Sequence, residues 1–271
     1  MLKIRMFTAI SLLAILLPAT LFLPLSGFSV LIACVLVFAA WEWGKLLQLS
    51  GVWPFYYSIL SGVILVSYML AGAPLGNALL RVAAAFWIVI APFILLRKPI
   101  LASGVWRIFM LVSGVVLFIA CWHALIAARV CGVIFVLSLL CIVCLADSGA
   151  YFVGKLFSQH KLAPAISPSK TWEGAVGGWL LTIMGALLAF SANPSLLTVT
   201  GFLIKRLGAL GAVLILSLLI VFSIVGDLFE SLLKRQAGVK DASQLLPGHG
   251  GMLDRIDSLL PVLPLAMLLL S

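Results

Sequence analysis

Charged side chains are scarce in this chain of 271 residues: Asp, Glu, Lys and Arg make up 9% of it, whereas hydrophobic residues make up 64%. Together with a mean hydropathy of +1.29, this scarcity excludes a water-soluble globular protein of ordinary composition. Acidic residues are especially few, at eight in the whole chain, so each of them needs an explanation. The composition indicates a polytopic membrane protein, whose partners include a lipid bilayer and no nucleic acid.

The sequence also lacks the alternating polar pattern of a membrane β-barrel, so its spans are predicted to be α-helices. A span needs about 20 apolar residues, and nine runs come close to that length. The first is interpreted as a retained helix, because it is long and has no clear small-x-small cleavage site. We predict an all-α polytopic integral membrane protein of about nine transmembrane helices, with a polar active-site cavity that faces the cytoplasm. The predicted spans are 6–25, 28–49, 52–71, 78–96, 107–128, 131–152, 174–191, 209–226 and 257–270.

Lysine and arginine residues are distributed unevenly between the loops that join these spans. With a cytoplasmic amino terminus, the cytoplasmic segments hold thirteen of them and the opposite side holds four. Because positively charged loops tend to stay in the cytoplasm, we predict this orientation. The chain is treated as one membrane-embedded domain, 1–271, with a hydrophobic helical part, 1–145, followed by a part with two polar segments, 146–271. Both polar segments are predicted to be cytoplasmic.

Five of the eight acidic residues lie within the thirty-two positions 226–257. The helix entered from the preceding apolar run is predicted to end near Gly238, before a glycine-rich turn at 247–251 whose N–H groups can approach an anion. Asp254 and Asp257 follow the turn. Carboxylates on both sides of such a turn, with lysines and arginines between them, are suited to a divalent cation and a polyphosphate. Before the turn, the spacing i, i+3, i+4 and i+7 places four polar residues on one helical face: Asp227, Glu230, Ser231 and Lys234.

The second polar segment begins at Asp147, at the end of a strongly apolar run. A carboxylate at the centre of a membrane helix costs about 2.5 to 3.5 kcal/mol, so even a partly immersed Asp147 needs a partner or a metal. A basic loop then leads to the sequence SPSKTWEG, in which Ser167 or Ser169 is predicted to cap the next helix, with Glu173 in its first turn. A capping box of Glu173 with Thr171 or Ser169 is the alternative interpretation. Lys170 stands beside that helix start, where the helix dipole disfavours a cation unless an anion also binds. The loop is therefore interpreted as a phosphate-binding segment.

Glu42 is the one acidic residue of the first half of the chain, within the sequence Trp41-Glu42-Trp43-Gly44-Lys45. One interpretation places this cluster in an interfacial aromatic belt and pairs Glu42 with Lys45. The alternative places Glu42 in a wall of the active-site cavity.

The segments quoted above resemble the phosphatidate cytidylyltransferase family, whose members are also called CDP-diacylglycerol synthases. The resemblance is carried by blocks 147–178 and 226–258, and above all by the sequence LPGHGGMLDRID that ends at Asp257. It implies transfer of CMP from CTP to phosphatidate (phosphatidic acid), giving CDP-diacylglycerol and pyrophosphate in phospholipid biosynthesis. It also implies Mg²⁺ as cofactor, with a second metal ion left open, and an integral protein of the bacterial inner (cytoplasmic) membrane. A homodimer is suggested as well.

Matched to the family pattern, the polar residues are assigned roles as a hypothesis. Asp227 and Asp254 are the first metal-ligand candidates, and Asp257 and Asp147 come next. The catalytic set is Asp227, Asp254, Lys170, Lys234 and Arg255. Contacts to the phosphates of CTP or of the lipid are expected from Lys170, Lys234, Arg235, Lys240 and Arg255, with Ser167, Thr171 and Ser231 positioning them, and His249 and Gly250 in the turn.

Three other classes of membrane protein fit these residues less well. The CDP-alcohol phosphatidyltransferases pair aspartates at D-x-x-x-D spacing with an upstream D-G-x-x-A-R block, whereas this chain has D-x-x-D at Asp254 and Asp257 and lacks the upstream block. A CTP-dependent polyprenol kinase would release CDP rather than pyrophosphate. A transporter would spread its acids among helices near the middle of the membrane, and here they gather with bases at one side.

Overall fold

The computed structural model describes residues 14–73 and 75–270. Seven of its helices are long and apolar enough to cross a membrane, and this supports an integral membrane protein built of α-helices. They are α1 (Leu25–Leu46), α2 (Trp53–Leu70), α3 (Gly76–Arg97), α4 (Gly104–Cys131), α5 (Val133–Phe157), α6 (Trp172–Ala192) and α7 (Val199–Gln236). Within α3, the segment Phe86–Ile90 forms a π-helical turn between the α-helical segments Gly76–Ala85 and Ala91–Arg97.

The first and the last of the nine predicted spans are not among these seven helices. For the first span, 6–25, residues 14–22 are helical, and the part before residue 14 lies outside the described residues. The last, 257–270, is a helix of 12 residues, α9 (Leu259–Leu270). At 1.5 Å per residue such a helix is about 18 Å long, well short of the roughly 30 Å hydrocarbon core. It packs instead among α3, α4 and α7, with most of its side chains buried.

A short antiparallel hairpin interrupts the helices between α5 and α6. Its strands are β1 (Lys161–Ala163) and β2 (Ser167–Thr171), and Lys161 pairs with Thr171. The residue that caps α6 is Thr171, whose Oγ1 accepts a hydrogen bond from Gly174 N at 3.1 Å. The predicted capping residues Ser167 and Ser169 lie in β2, so that part of the prediction was wrong. Thr171 is the last residue of β2 and directly precedes the first helical residue, Trp172, whereas Ser167 and Ser169 lie earlier in the strand.

Helix α7 lies at the centre of the part of the chain that carries the polar segments. It contacts α1, α3, α5, α6, α9 and β2. Its amino end is capped by Thr198, whose Oγ1 accepts from Gly201 N at 2.9 Å, and it bends at Gly208, where φ is +74°. Beyond the bend it runs without interruption through the apolar run predicted at 209–226 and on to Gln236. The helix thus leads directly from an apolar environment to the polar cluster.

Helix α1 is fixed against the last turns of α7 by aromatic packing. The rings of Trp43 and Phe229 stack with their centroids 6.1 Å apart, and Phe86 and Trp87 of α3 meet Phe229 edge-on. The indole N–H of Trp43 donates to Met110 O of α4 at 3.0 Å. This core holds four helices together around Phe229, a residue of the same stretch of α7 as Asp227 and Glu230.

Candidate active site

The end of β2 and the last third of α7 meet through an ion pair. Lys170 Nζ contacts Asp227 Oδ2, and both side chains are partly exposed. Ser231, one turn further along α7, has its Oγ 3.4 Å from Asp227 Oδ1 and donates to it. Burial alone would lower the pKa of the Lys170 ammonium, but Asp227 and the other nearby carboxylates outweigh burial and raise that pKa above its ordinary value. Lys170 is therefore a fixed cation that faces carboxylates.

A second lysine joins α7 to the segment that follows the glycine-rich turn. Lys234 Nζ donates to Glu230 Oε2 at 2.5 Å and to Asp254 Oδ1 at 2.6 Å. The three side chains are 13%, 3% and 7% exposed, respectively. The second oxygen of Glu230, Oε1, is buried and has no hydrogen-bond partner among the described residues. Because two carboxylates share one ammonium, this cluster carries an excess of negative charge.

Asp254 organises the turn that precedes it. Its Oδ2 accepts hydrogen bonds from Ala242 N at 2.9 Å and from Gly251 N at 2.8 Å. Burial alone would raise the pKa of the Asp254 carboxyl, but Lys234 and these two N–H groups outweigh burial and hold that pKa below its ordinary value. Gly250 has φ of +80°, and a Cβ on it would lie 2.8 Å from Asp254 Oδ2. Glycine is therefore required there by backbone conformation and by space.

The turn is closed by its own backbone. Leu246 N donates to Gly250 O at 2.8 Å, and His249 N donates to Leu246 O at 2.9 Å. Arg255, in the short helix α8 (Leu253–Ile256), donates through Nη2 to His249 O at 2.7 Å. The predicted glycine turn at 247–251 is thus present, and a predicted phosphate-binding arginine is fixed to it.

Two further carboxylates lie near the pair of Lys170 and Asp227. Asp147, at the last turns of α5, interacts electrostatically with Lys170 and Asp227 and lies next to the Ser258 hydroxyl. Asp257 accepts a hydrogen bond from Ser258 N at 2.7 Å. Desolvation and the neighbouring Asp227 raise the pKa of Asp257 to about 7. Both polar segments of the sequence thus supply acids to one place.

A cavity of about 400 Å³ opens beside Asp147 and Lys170. Its polar part includes Lys155 and Lys161, and its apolar part includes Ile220 and Ile224 of α7. A cavity lined by both lysine and aliphatic side chains suits a ligand that has an anionic group and an apolar part.

Comparison with known proteins identifies the family. The model of the cytidylyltransferase family matches residues 3–271. The chain belongs to the cytidylyltransferase family. Among similar proteins, the phosphatidate cytidylyltransferase of Pseudomonas aeruginosa is 36% identical over 280 residues, covering 100% of this chain and 97% of the relative. That of Haemophilus influenzae is 32% identical, covering 97% and 96%, and that of Staphylococcus haemolyticus is 34% identical, covering 99% and 98%.

The family predicted from the two polar blocks is therefore confirmed. The structure of this cytidylyltransferase brings both blocks together, since Lys170 of the first pairs with Asp227 of the second. Arg235 also links them, because its Nε donates to Ile166 O at 3.2 Å. In the hairpin, Ser167 is buried and its Oγ lies 3.4 Å from Ser169 Oγ. The predicted roles of these residues toward phosphates stay predictions.

Lys240 is placed differently from the other predicted phosphate ligands. It is exposed and lines a separate cavity of about 760 Å³, together with Trp41 and Lys45. Lys45 Nζ stands over the Trp41 ring, 4.5 Å from its centroid. The expected pairing of Lys45 with Glu42 was wrong, because the Glu42 carboxylate points into the protein and is 0% exposed.

Glu230 was predicted on the polar face of the helix but has no place among the predicted roles, and the structure buries it beside Lys234. A signal was present, because Glu230 and Lys234 are four residues apart on a helix, the spacing at which such side chains meet. Within the described residues, no group of three or more His, Cys, Asp or Glu side chains is close enough to form a ready-made metal cage. Oxygens of Asp227 and Asp254 face lysines instead.

Proposed function

We propose that this chain is a CTP:phosphatidate cytidylyltransferase, a nucleotidyltransferase of phospholipid biosynthesis. The observation that carries the proposal is the meeting of Lys170 with Asp227, which joins the two blocks of the family pattern at the polar end of a membrane helix. Relatives of similar length bear this enzyme's name, with identities of 32% to 36% over nearly the whole chain.

The reaction places few demands on acid–base chemistry. The second pKa of a phosphate monoester is near 6, so phosphatidate is largely a dianion at neutral pH. A phosphate oxygen of the lipid forms a bond to the α-phosphorus of CTP. The bond from that phosphorus to the oxygen bridging to the β-phosphorus breaks, and pyrophosphate leaves with the electron pair. A histidine or serine nucleophile is not required, because the lipid itself is the nucleophile.

The obstacle is repulsion between two polyanions, which cationic side chains reduce while they hold the reacting groups in line. Lys170 would exchange its contact with Asp227 for a phosphate, and Lys234 would act from its position between Glu230 and Asp254. Arg255 is held to the turn and would add a third cation there. The aliphatic residues of the cavity would accept the first carbons of the lipid chains.

The donor set suits a divalent cation. Asp147, Asp227, Glu230, Asp254 and Asp257 supply five carboxylates, whereas Lys170, Lys234 and Arg255 supply three cations, so an ionised cluster is two charges short of neutrality. Mg²⁺ prefers oxygen ligands and usually takes one or two carboxylates together with substrate phosphates. A preformed cage of three side chains is thus not needed. When bound, Mg²⁺ would neutralise phosphate charge and polarise the phosphoryl oxygens.

We infer that one or two of the carboxylates Asp227, Asp147 and Asp257 would hold this ion, with substrate phosphates as its other ligands. Asp254 is less suited, since Lys234 and two backbone N–H groups already occupy its oxygens. The two excess negative charges of the cluster are also compatible with a second metal ion. Removal of Mg²⁺ with EDTA is expected to abolish turnover, and readdition to restore it.

One assay tests the activity. Purified protein in detergent is given CTP labelled in the cytidine together with phosphatidate, with and without Mg²⁺, and both lipid-soluble label and released pyrophosphate are followed. Equal amounts of the two products are expected. Label that stays in water refutes the activity for this lipid, and a phosphorylated lipid with release of CDP indicates a kinase.

The proposed setting is the bacterial inner membrane, with the site facing the cytoplasm and the chain forming a homodimer. The orientation is tested with Gln244→Cys, an exposed position beside the site, in a chain whose five native cysteines are replaced by serine or alanine. An impermeant maleimide should label it in inverted membrane vesicles and not in intact spheroplasts. Chemical crosslinking in native membranes tests the dimer.

A further inference from the structure

Glu42 is a fully buried carboxylate that the reaction described above does not use. It lies on α1, about two hundred residues before the signature block, and is 0% exposed. Its Oε1 accepts from Ser243 Oγ at 2.5 Å and from Met252 N at 2.9 Å. Its Oε2 accepts from Leu253 N at 2.6 Å. All three donors belong to the segments that frame the glycine turn.

A buried carboxylate is costly unless hydrogen bonds replace its contacts with water. No cationic side chain among the described residues forms an ion pair with Glu42. Its negative charge is met by one hydroxyl and two backbone N–H groups, at the entrance of helix α8. Loss of one such acceptor leaves a buried donor unsatisfied, so the arrangement tolerates little displacement.

The donors to Glu42 and to Asp254 alternate along the same two segments. Ala242 N donates to Asp254, and the next residue, Ser243, donates to Glu42. In the second segment, Gly251 N donates to Asp254, and the next residue, Met252, donates to Glu42. The two carboxylates therefore hold the same pair of segments together, Glu42 from α1 and Asp254 from within α8, where it also binds Lys234 of α7.

Gly251 shows how closely α1 approaches these segments. A Cβ at position 251 would lie 2.7 Å from both Cδ and Oε2 of Glu42, so the backbone is in contact with the carboxylate. Asp254 comes three residues later and holds Lys234 through its other oxygen. Any shift of the segment relative to α1 therefore moves Asp254 and, with it, the ammonium of Lys234.

We propose that Glu42 is a positioning residue for CMP transfer, which holds the glycine turn and the start of α8 so that Asp254 presents Lys234 to the phosphates. The inference rests on the proposed function. It gives the first half of the chain a part in catalysis without any contact to substrate.

The test is Glu42→Gln, measured for kcat, for KM of CTP and for the number of CTP molecules bound per chain. An amide cannot accept from all three donors, because its NH₂ group faces at least one N–H or O–H. Misplacement of a catalytic group by about 1 Å can cost on the order of 100-fold, so kcat is expected to fall about 10- to 100-fold. KM for CTP should rise about threefold at most, and bound CTP per chain should equal that of the wild type.

Tyr57→Phe is the matched control. The Tyr57 hydroxyl donates to Leu111 O at 2.8 Å, so the variant also removes a hydrogen bond between two helices. It should keep its kcat while losing some stability. Ser243→Ala is the second variant, a smaller change that removes one donor to Glu42 and carries the test even where Glu42→Gln does not fold. It should lower kcat, and the loss in the double variant should be smaller than the product of the single losses.

Each outcome decides a different point. A kcat loss at full CTP binding, absent from the Tyr57 control, supports the positioning role. An unchanged kcat in both Glu42→Gln and Ser243→Ala, or a loss that only follows the fraction of chains binding CTP, overturns it. A wild-type protein that makes no CDP-diacylglycerol overturns the proposed function and this inference together, whereas an active wild type with fully active variants overturns this inference alone.

Discussion

Replacing Asp254 with Asn is expected to lower the stability of the protein as well as its turnover. The two carboxylate oxygens accept from Lys234 Nζ at 2.6 Å, from Ala242 N at 2.9 Å and from Gly251 N at 2.8 Å. An amide has one acceptor oxygen and one NH₂ group. Its oxygen can therefore accept either from Lys234 or from the two backbone N–H groups. Its NH₂ group then faces the remaining donors and cannot accept from them.

The magnitude follows from the burial of this pair. Lys234 and Asp254 are 13% and 7% exposed, and breaking a buried ion pair by removing one partner costs about 3 to 5 kcal/mol. Glu230 still holds Lys234 in the variant, so the lower end, about 3 kcal/mol, is expected. For a chain of this size a loss of 1 kcal/mol shifts Tm by roughly 2 to 4 °C, which gives a fall of about 6 to 12 °C.

Asp227→Asn is the contrasting variant. Asp227 and Lys170 are 19% and 27% exposed, so the loss of their pair should cost about 1 to 2 kcal/mol, between the values for exposed and for buried pairs. Its turnover should fall at least as far as that of Asp254→Asn, because Asp227 is a proposed Mg²⁺ ligand. Thermal unfolding and turnover of both variants are measured in the same detergent over a range of Mg²⁺ concentrations. An Asp254→Asn protein with the wild-type Tm would refute the reasoning. A variant whose turnover returns at high Mg²⁺ would also refute it and would indicate that Asp254 is a metal ligand.

Three other outcomes are expected. Lys170→Gln should lower kcat about 100-fold or more, as does the loss of one fixed donor at a reacting oxyanion. Lys205→Gln is the control, since Lys205 is exposed at the other end of α7, and it should keep the wild-type kcat. Equal rates for both variants would contradict the placement of Lys170 in the active site. Gly251→Ala should lower Tm and turnover, because the added Cβ would clash with the Glu42 carboxylate. Gly27→Ala is its control and should change neither, because the nearest atom to a Cβ at that position is 3.6 Å away. The pKa of Asp257 is raised to about 7 in the folded protein, from an ordinary value of about 3.9. Between these two pH values the folded state therefore binds more protons than the unfolded state. In metal-free buffer, stability should fall as pH rises through that window. Asp257→Asn should flatten this slope, measured as Tm against pH; a variant with the wild-type slope would exclude Asp257 as its source.

Local spacing predicted much of the polar end of α7. The i, i+3, i+4, i+7 pattern placed four residues on one face, and two contacts of that kind are present, Lys234 with Glu230 and Ser231 with Asp227. The helix was expected to end near Gly238 and ends at Gln236. Such features follow from the chain itself, because neighbours along a helix meet whatever surrounds them.

Features that depend on distant segments were missed or wrong. The hairpin that carries Lys170 has no periodic signal in eleven residues. Of the candidates for the cap of α6, Thr171 is the one used, because β2 continues to that residue. The last apolar run has the composition of a span, yet its helix is short and packs among other helices. Composition shows that a segment avoids water, and it does not distinguish a lipid environment from a protein interior.

The sequence by itself determined that the protein is helical and membrane-embedded, which family it belongs to, and which polar residues are candidates for its chemistry. Only the tertiary structure decided how those residues are used. In the structure, backbone N–H groups donate to Asp254, and Lys170 forms an ion pair with Asp227. Glu42 binds a loop two hundred residues later and not Lys45. The physical reason is that periodicity and composition act over a few residues, whereas the partner of a buried charge is set by how whole helices pack.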